Sequence, residues 1–155
     1  MIHAYNEEYL SDAMENLGEA FDYAVYAEGL SLNDFMYLFI NSKIAQKFQE
    51  GNPKYISGMS GTELVLETLV KSGRVVKNPG PLENYDRSSE YWSGWILAYY
   101  QWYSGKSFAY IQEYLPVEDI HRLYNPLHEA PEQKFLDTAQ AIIDRRILAD
   151  SARKI

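Results

Sequence analysis

Apolar residues recur every three or four positions along most of this chain, and polar residues fill the opposite faces. Leu10, Met14, Leu17, Phe21 and Ala24 make one such stripe, which predicts a helix over Glu7–Glu28, with Gly29 as its stop. Ser31, followed by Asp34, caps a helix over Leu32–Asn41 whose Phe35, Leu38 and Phe39 face inward. Ile44, Ala45 and Phe48 predict a short helix over Ser42–Glu50, ended by Gly51. Asn52–Met59 reads as a structured loop because of its Asn-Pro and Gly residues. Ser60-Gly61-Thr62-Glu63 is a capping box that opens a helix to Ser72, with Leu64, Leu66, Leu69 and Val70 on its apolar side. Arg74–Arg87 reads as a surface loop, since Pro79-Gly80-Pro81 forbids helix.

Ser88 or Ser89 then caps a helix over Ser89–Ser104 that holds all three tryptophans. Trp92, Ile96, Tyr99 and Tyr103 make one stripe, and Tyr91, Trp95, Ala98 and Trp102 the next. Glu90, Ser93, Gly94, Leu97 and Gln101 occupy the remainder. Apolar surface over so much of the circumference predicts a central helix with neighbours on several sides. Ser107 caps a short helix to Tyr114, and Pro116 fits the first turn of another over Val117–Tyr124. Asn125-Pro126 and Ala130-Pro131 bracket a turn holding His128 and Glu129. The last helix is expected over Glu132–Ala149, with Phe135, Leu136, Ala139, Ile142, Ile143 and Ile147 inward. The expected fold is all-α: a single-domain bundle of seven or eight helices around the aromatic helix, spanning 1–155, with 144–155 as a connector or tail.

Composition narrows the function classes. A chain of 155 residues buries a sizeable core without disulfides, and it has no cysteine to form them. The absence of cysteine also removes thiolate metal sites and suits a cytoplasmic location. MIHAYNEEYL has neither the basic nor the apolar region of a signal peptide, and no apolar run approaches a membrane span. The formal charge of -8 disfavours direct nucleic-acid or anionic-lipid binding and favours a basic partner.

Within that frame, Glu8, Asp12, Glu15, Glu19 and Asp22 follow one another at helical spacing and form an acidic ridge opposite the first apolar stripe. As a solvated face it needs no function; as a site it would dock a basic protein. No metal is expected there, because one ridge without loop oxygens does not wrap a cation. His3, His121 and His128 lack zinc-ligand spacing. His128-Glu129 is a turn pair with the elements of acid–base chemistry. Asp86 and Glu90 beside the tryptophans would suit a sugar pocket. Gly58-Met59-Ser60-Gly61 is explained by capping, and the pair of helices carrying Lys43 and Lys47 is better read as core than as a DNA reader. No cofactor and no catalytic residue is assigned.

Four segments carry a resemblance. They are HAYNEEYLSDAMENLGEAFDYAV within Ile2–Tyr26, FQEGNPKYISGMSGTEL at Phe48–Leu64, YDRSSEYWSGWILAYYQWYSGKSF at Tyr85–Phe108, and LHEA around His128. Together they resemble a family of uncharacterised all-helical proteins from gut Firmicutes, some fused to a Cro-repressor-type helix-turn-helix and found beside ADP-ribosyltransferase-like toxins. The likeness covers nearly all of Ile2–Ile143. It implies an antitoxin-like or regulatory partner of another protein and supplies no catalytic residues. Longer members continue into a DNA-binding segment where this chain ends, so Arg145 to Lys154 would be the start of a connector. The candidate partner-binding residues are the ridge (Glu8, Asp12, Glu15, Glu19, Asp22), Lys54 and Tyr55 of the Asn52–Met59 loop, and Arg87 with Glu90. A homo-oligomer is compatible with the same surfaces. Two alternatives stand beside this expectation: an enzyme with a small-molecule or sugar pocket under the aromatic helix, and the sensory domain of a transcription regulator.

Overall fold

The structure is a computed structural model that describes residues 2–77 and 87–154. Helices account for all its regular structure, and no strand occurs among the described residues. A single 3-10 turn, Glu7–Tyr9, leads into α1 (Leu10–Tyr26), followed by α2 (Leu32–Asn41), α3 (Ile44–Gln49), α4 (Pro53–Ile56) and α5 (Gly61–Lys71). After the undescribed stretch come α6 (Ser89–Ser104), α7 (Phe108–Tyr114), α8 (Val117–Arg122), α9 (Tyr124–Leu127) and α10 (Glu132–Arg153). Ten helices therefore replace the seven or eight expected among these residues. The additions are α4 and α9, both one turn long and both built on an Asn-Pro pair that had read as loop or turn. Pro79-Gly80-Pro81 and Asp86 lie outside the described residues.

Serine side chains start four of the longer helices. Ser31, Ser60, Ser88 and Ser107 each accept a backbone N–H three residues ahead, satisfying a donor the helix itself cannot reach. The Ser60–Glu63 box closes in both directions.

The bundle is built on α1 and α6, which share the most extensive contact in the molecule. They run antiparallel. The amide of Ala4 donates to the Trp102 carbonyl and the Trp102 indole to the Tyr5 carbonyl at one end, while Tyr26 bonds Glu90 at the other. Their close approach depends on glycine: a Cβ on Gly94 would lie 2.3 Å from the Leu17 carbonyl oxygen, and one on Gly18 2.9 Å from the Tyr91 carbonyl oxygen. On its other flank α1 receives α5, and α8, α9 and α10 pack beyond α6. A second cluster joins α2, α3 and α7 through Phe35, Phe39, Phe48 and Phe108, all fully buried. On α5, Val65 and Thr68 are buried, whereas the expected Val70 is 67% exposed. Beyond Ile143 no residue of α10 is fully buried, and Leu148 is exposed.

Candidate functional site

Trp92, Ile96, Ala98 and Trp102 of the two stripes are buried, and so are the positions the stripes leave over. Glu90, Ser93, Gly94, Leu97 and Gln101 are all buried. The small Gly94 meets α1 directly, and Glu90 finds a distant partner in Tyr26. The Gln101 amide donates to the Lys106 carbonyl at 3.0 Å. Trp92 sets its edge against Tyr124 and Phe135, fixing α6 to α9 and α10. That leaves Tyr91, Trp95 and Tyr99 half-buried on the outside, where successive turns of one rigid helix hold them.

Carboxylates border this aromatic stripe. Glu15 and Glu19 of α1 act on Tyr91, and Glu7 of the 3-10 turn and Glu132 of α10 act on Tyr99. The tyrosine rings respond in kind: burial first, then these negative charges, raises both phenols above their ordinary range, with Arg87 opposing at Tyr91.

The acidic ridge divides along its length. Glu8, Asp12 and Glu15 are exposed. Glu19 instead accepts the Gly61 amide at 2.8 Å and the Thr62 hydroxyl at 3.1 Å, clamping the start of α5. Asp22 is buried and accepts from Ser88, whose hydroxyl oxygen also caps the Tyr91 amide. Two of the five carboxylates thus position helices, and three face solvent.

Asp22 is the strained member. Burial raises its pKa, the Ser88 hydrogen bond opposes, and the Glu90 and Glu19 charges raise it further. An acid with a raised folded pKa carries a penalty at neutral pH that disappears once it is protonated. Asp22→Asn is therefore expected to stabilise the fold at pH 7 by about 0.5–1 kcal/mol. The gain should shrink as the pH falls through the raised value, because the native aspartate then becomes neutral too. Urea titrations at pH 7 and in the acid range measure this, and a constant or reversed difference contradicts it.

Arg87 and Glu90 do not converge. Arg87 lies outside, its guanidinium carbon 5.4 Å from the Tyr91 ring centroid. Glu90 points the other way, into a polar knot. The Tyr26 hydroxyl donates to its Oε1 at 2.6 Å, the Ser89 hydroxyl to its Oε2 at 3.0 Å, and His121 Nε2 lies 2.9 Å from the same oxygen. Burial acts to raise the Glu90 pKa, but the Tyr26, backbone and Ser89 hydrogen bonds and the His121 charge outweigh it and hold the carboxyl low. Its partner Tyr26 is pushed up to about 12, chiefly by that hydrogen bond.

Ser89, His121 and Glu90 have the composition of a nucleophilic triad but not its geometry. Serine and carboxylate both address His121 Nε2, at 2.8 and 2.9 Å. A relay needs them on opposite ring nitrogens, with the serine proton moving to the imidazole. Here the serine proton is already directed at Glu90. The knot anchors the start of α6 to α1 and α8.

Of the remaining expected residues, Lys54 and Tyr55 belong to α4. Tyr55 is buried, with its hydroxyl donating to Glu67, while Lys54 is exposed. His128 stacks flat on Tyr124 at 4.0 Å and donates Nδ1–H to the Tyr124 carbonyl, so its ring is held, while Glu129 stays in solvent. No group of three metal-ligating side chains occurs among the described residues, and no described helix is long and apolar enough to cross a membrane.

Two open clefts flank the start of α6. One, of about 310 Å³, contains Glu90, Glu118, His121 and Arg122 on the side of the knot. The other, of about 280 Å³, lies at the end of the aromatic stripe and is lined by Arg87, Tyr91, Trp92, Trp95, Tyr124 and His128. The sequence pointed to Arg87, to the aromatic residues and to a pocket beside the aromatic helix, but did not show that Tyr124 and the turn at His128 fold back to line this cleft. No protein-family model, no curated protein and no solved structure matches this chain.

Proposed function

We propose that this chain is a protein-recognition domain that holds a basic partner protein against the outward face of α1 and α6, as an antitoxin-like or regulatory subunit would. The observation that carries the reading is the half-buried stripe Tyr91, Trp95 and Tyr99, bordered by carboxylates on both sides. Tyrosine and tryptophan on a rigid helix lose little freedom on binding and dominate interface energies. The exposed Glu8, Asp12 and Glu15 add a negative approach surface that speeds encounter with a positive partner. The resemblance expected from the sequence, to Firmicutes proteins encoded beside ADP-ribosyltransferase-like toxins, would supply a toxin-like partner, and the cysteine-free composition suits a cytoplasmic setting.

Co-expression with the protein encoded next to this chain tests the reading, with co-purification at fixed stoichiometry expected. The charge reversal should use Glu8, Asp12 and Glu15 together, since lysine at Glu19 or Asp22 would disrupt helix positioning instead. Reversal of the three to lysine is expected to slow association about tenfold or more, with the loss largest at low salt. Absence of a complex, or a complex whose association is unchanged by reversal, contradicts the proposal.

A further inference from the structure

The cleft at the start of α6 has a composition that selects a particular chemical group. Tyr91, Trp92, Trp95 and Tyr124 line it, so four aromatic rings meet one small opening. Aromatic faces carry negative charge density and attract cations, most strongly when several enclose the same site. The surrounding charge has the same sign. Glu15 and Glu19 act on Tyr91, Glu129 stands beside His128, and the chain carries a formal -8.

One cation is already drawn to this wall. Arg87 places its guanidinium over the Tyr91 ring and makes no ion pair among the described residues. It is exposed, it lies two positions ahead of the start of α6, and a single ring contact holds it weakly. Guanidinium stacks on aromatic planes better than ammonium does, being flat and less strongly hydrated. A volume of about 280 Å³ falls below that of pockets for drug-sized ligands and suits one side chain.

We infer that this cleft receives a single arginine side chain of the partner protein, and that Arg87 is an intramolecular stand-in which the incoming guanidinium displaces. The inference rests on the reading of the α1–α6 face as a surface for a basic partner, and it deepens that reading by naming the anchor.

A synthetic octapeptide of alternating arginine and glycine serves as the probe, with tryptophan emission and calorimetry as readouts. Its lysine–glycine and glutamate–glycine counterparts are the comparisons. The arginine peptide is expected to bind best and the glutamate peptide not at all. Arg87→Ala is expected to tighten the arginine peptide about three- to fivefold by removing the competitor. Arg87→Lys keeps the charge but stacks less well, so an intermediate tightening is expected. Trp95→Ala, at a half-buried position, should weaken binding about tenfold while the circular dichroism stays native.

Weaker arginine-peptide binding on Arg87→Ala would make Arg87 a part of the site rather than a competitor, and preference for the glutamate peptide would make it an anion anchor; either result overturns the inference. Tightening by Arg87→Ala with none by Arg87→Lys would reduce the effect to net charge and overturn displacement. Arginine-peptide binding that ignores both Arg87 and Trp95 but vanishes on reversal of Glu8, Asp12 and Glu15 would leave the basic-partner reading intact and remove the cleft from it. No binding of the arginine or lysine peptide by any variant would remove both.

Discussion

Phe39→Ala is expected to destabilise the protein by about 4 kcal/mol, more than any other single truncation considered. Phe39 has no exposed surface, and its ring lies 5.6 Å from Phe35, 6.1 Å from Phe48 and 5.4 Å from Phe108. It therefore joins α2 to α3 and α7 at one point. Truncation removes the transfer energy of the ring, opens a cavity that three other rings cannot collapse into, and deletes edge-on contacts worth about 0.5–1.5 kcal/mol each. For a chain of this size the loss corresponds to a fall of about 8–16 °C in Tm. Tyr37, two positions earlier on the same helix, is 68% exposed, so Tyr37→Ala should change stability by less than about 0.5 kcal/mol. Urea unfolding of the two variants makes the comparison, and similar midpoints would mean the phenylalanine cluster is not packed as described. The α1–α6 face lies outside this cluster, so folded Phe39→Ala protein should keep its tryptophan emission.

Local chemistry was legible in the sequence. The serine caps at Ser31, Ser60, Ser88 and Ser107 lie where the chain offers a hydroxyl three residues ahead of a free amide, and α2, α6 and α7 have the limits their patterns predicted. Long-range consequences were not legible. Glu19 and Asp22 look like Glu8 and Glu15 in the sequence, but their partners Gly61 and Ser88 lie 42 and 66 residues away. Glu90 reads as a pocket or partner-contact carboxylate until Tyr26, 64 positions earlier, supplies its hydrogen bond. Hydrophobic periodicity identified Trp92, Ile96, Ala98 and Trp102 of α6 as core, but not the burial of Glu90, Ser93, Gly94 and Gln101, because it counts apolar surface and ignores how closely two backbones can approach. The short α4 and α9 escaped because Asn-Pro was taken as loop, although proline within a first turn gives up only an N–H the helix does not use. At the other end, α10 runs four residues past its expected limit, and Arg146 ties its outer half to the Tyr114 carbonyl and Asp119.

The same approach of backbones sets the second large effect. In an isolated helix, alanine at position 94 would be better than glycine by about 1 kcal/mol. Here a methyl group would lie 2.3 Å from the Leu17 carbonyl oxygen, 2.7 Å from the Leu17 carbonyl carbon and 2.9 Å from the Phe21 ring. The first two are backbone atoms of α1 and cannot yield by changing rotamer. Gly94→Ala is thus expected to reverse the sign set by propensity and cost about 2–3 kcal/mol net, with α6 pushed away from α1. That displacement has a functional reading as well. Tyr91 rests over Gly18 with its ring Cζ 3.0 Å from where a Cβ would stand, so moving α6 lifts Tyr91 from its seat and re-aims Trp95 one turn on. A native-like fold with altered tryptophan emission and weakened partner binding is the expected combination at temperatures well below unfolding. Equal or higher stability of Gly94→Ala would mean the two helices stand further apart than this geometry requires, and the aromatic stripe would lose the rigid support on which recognition depends.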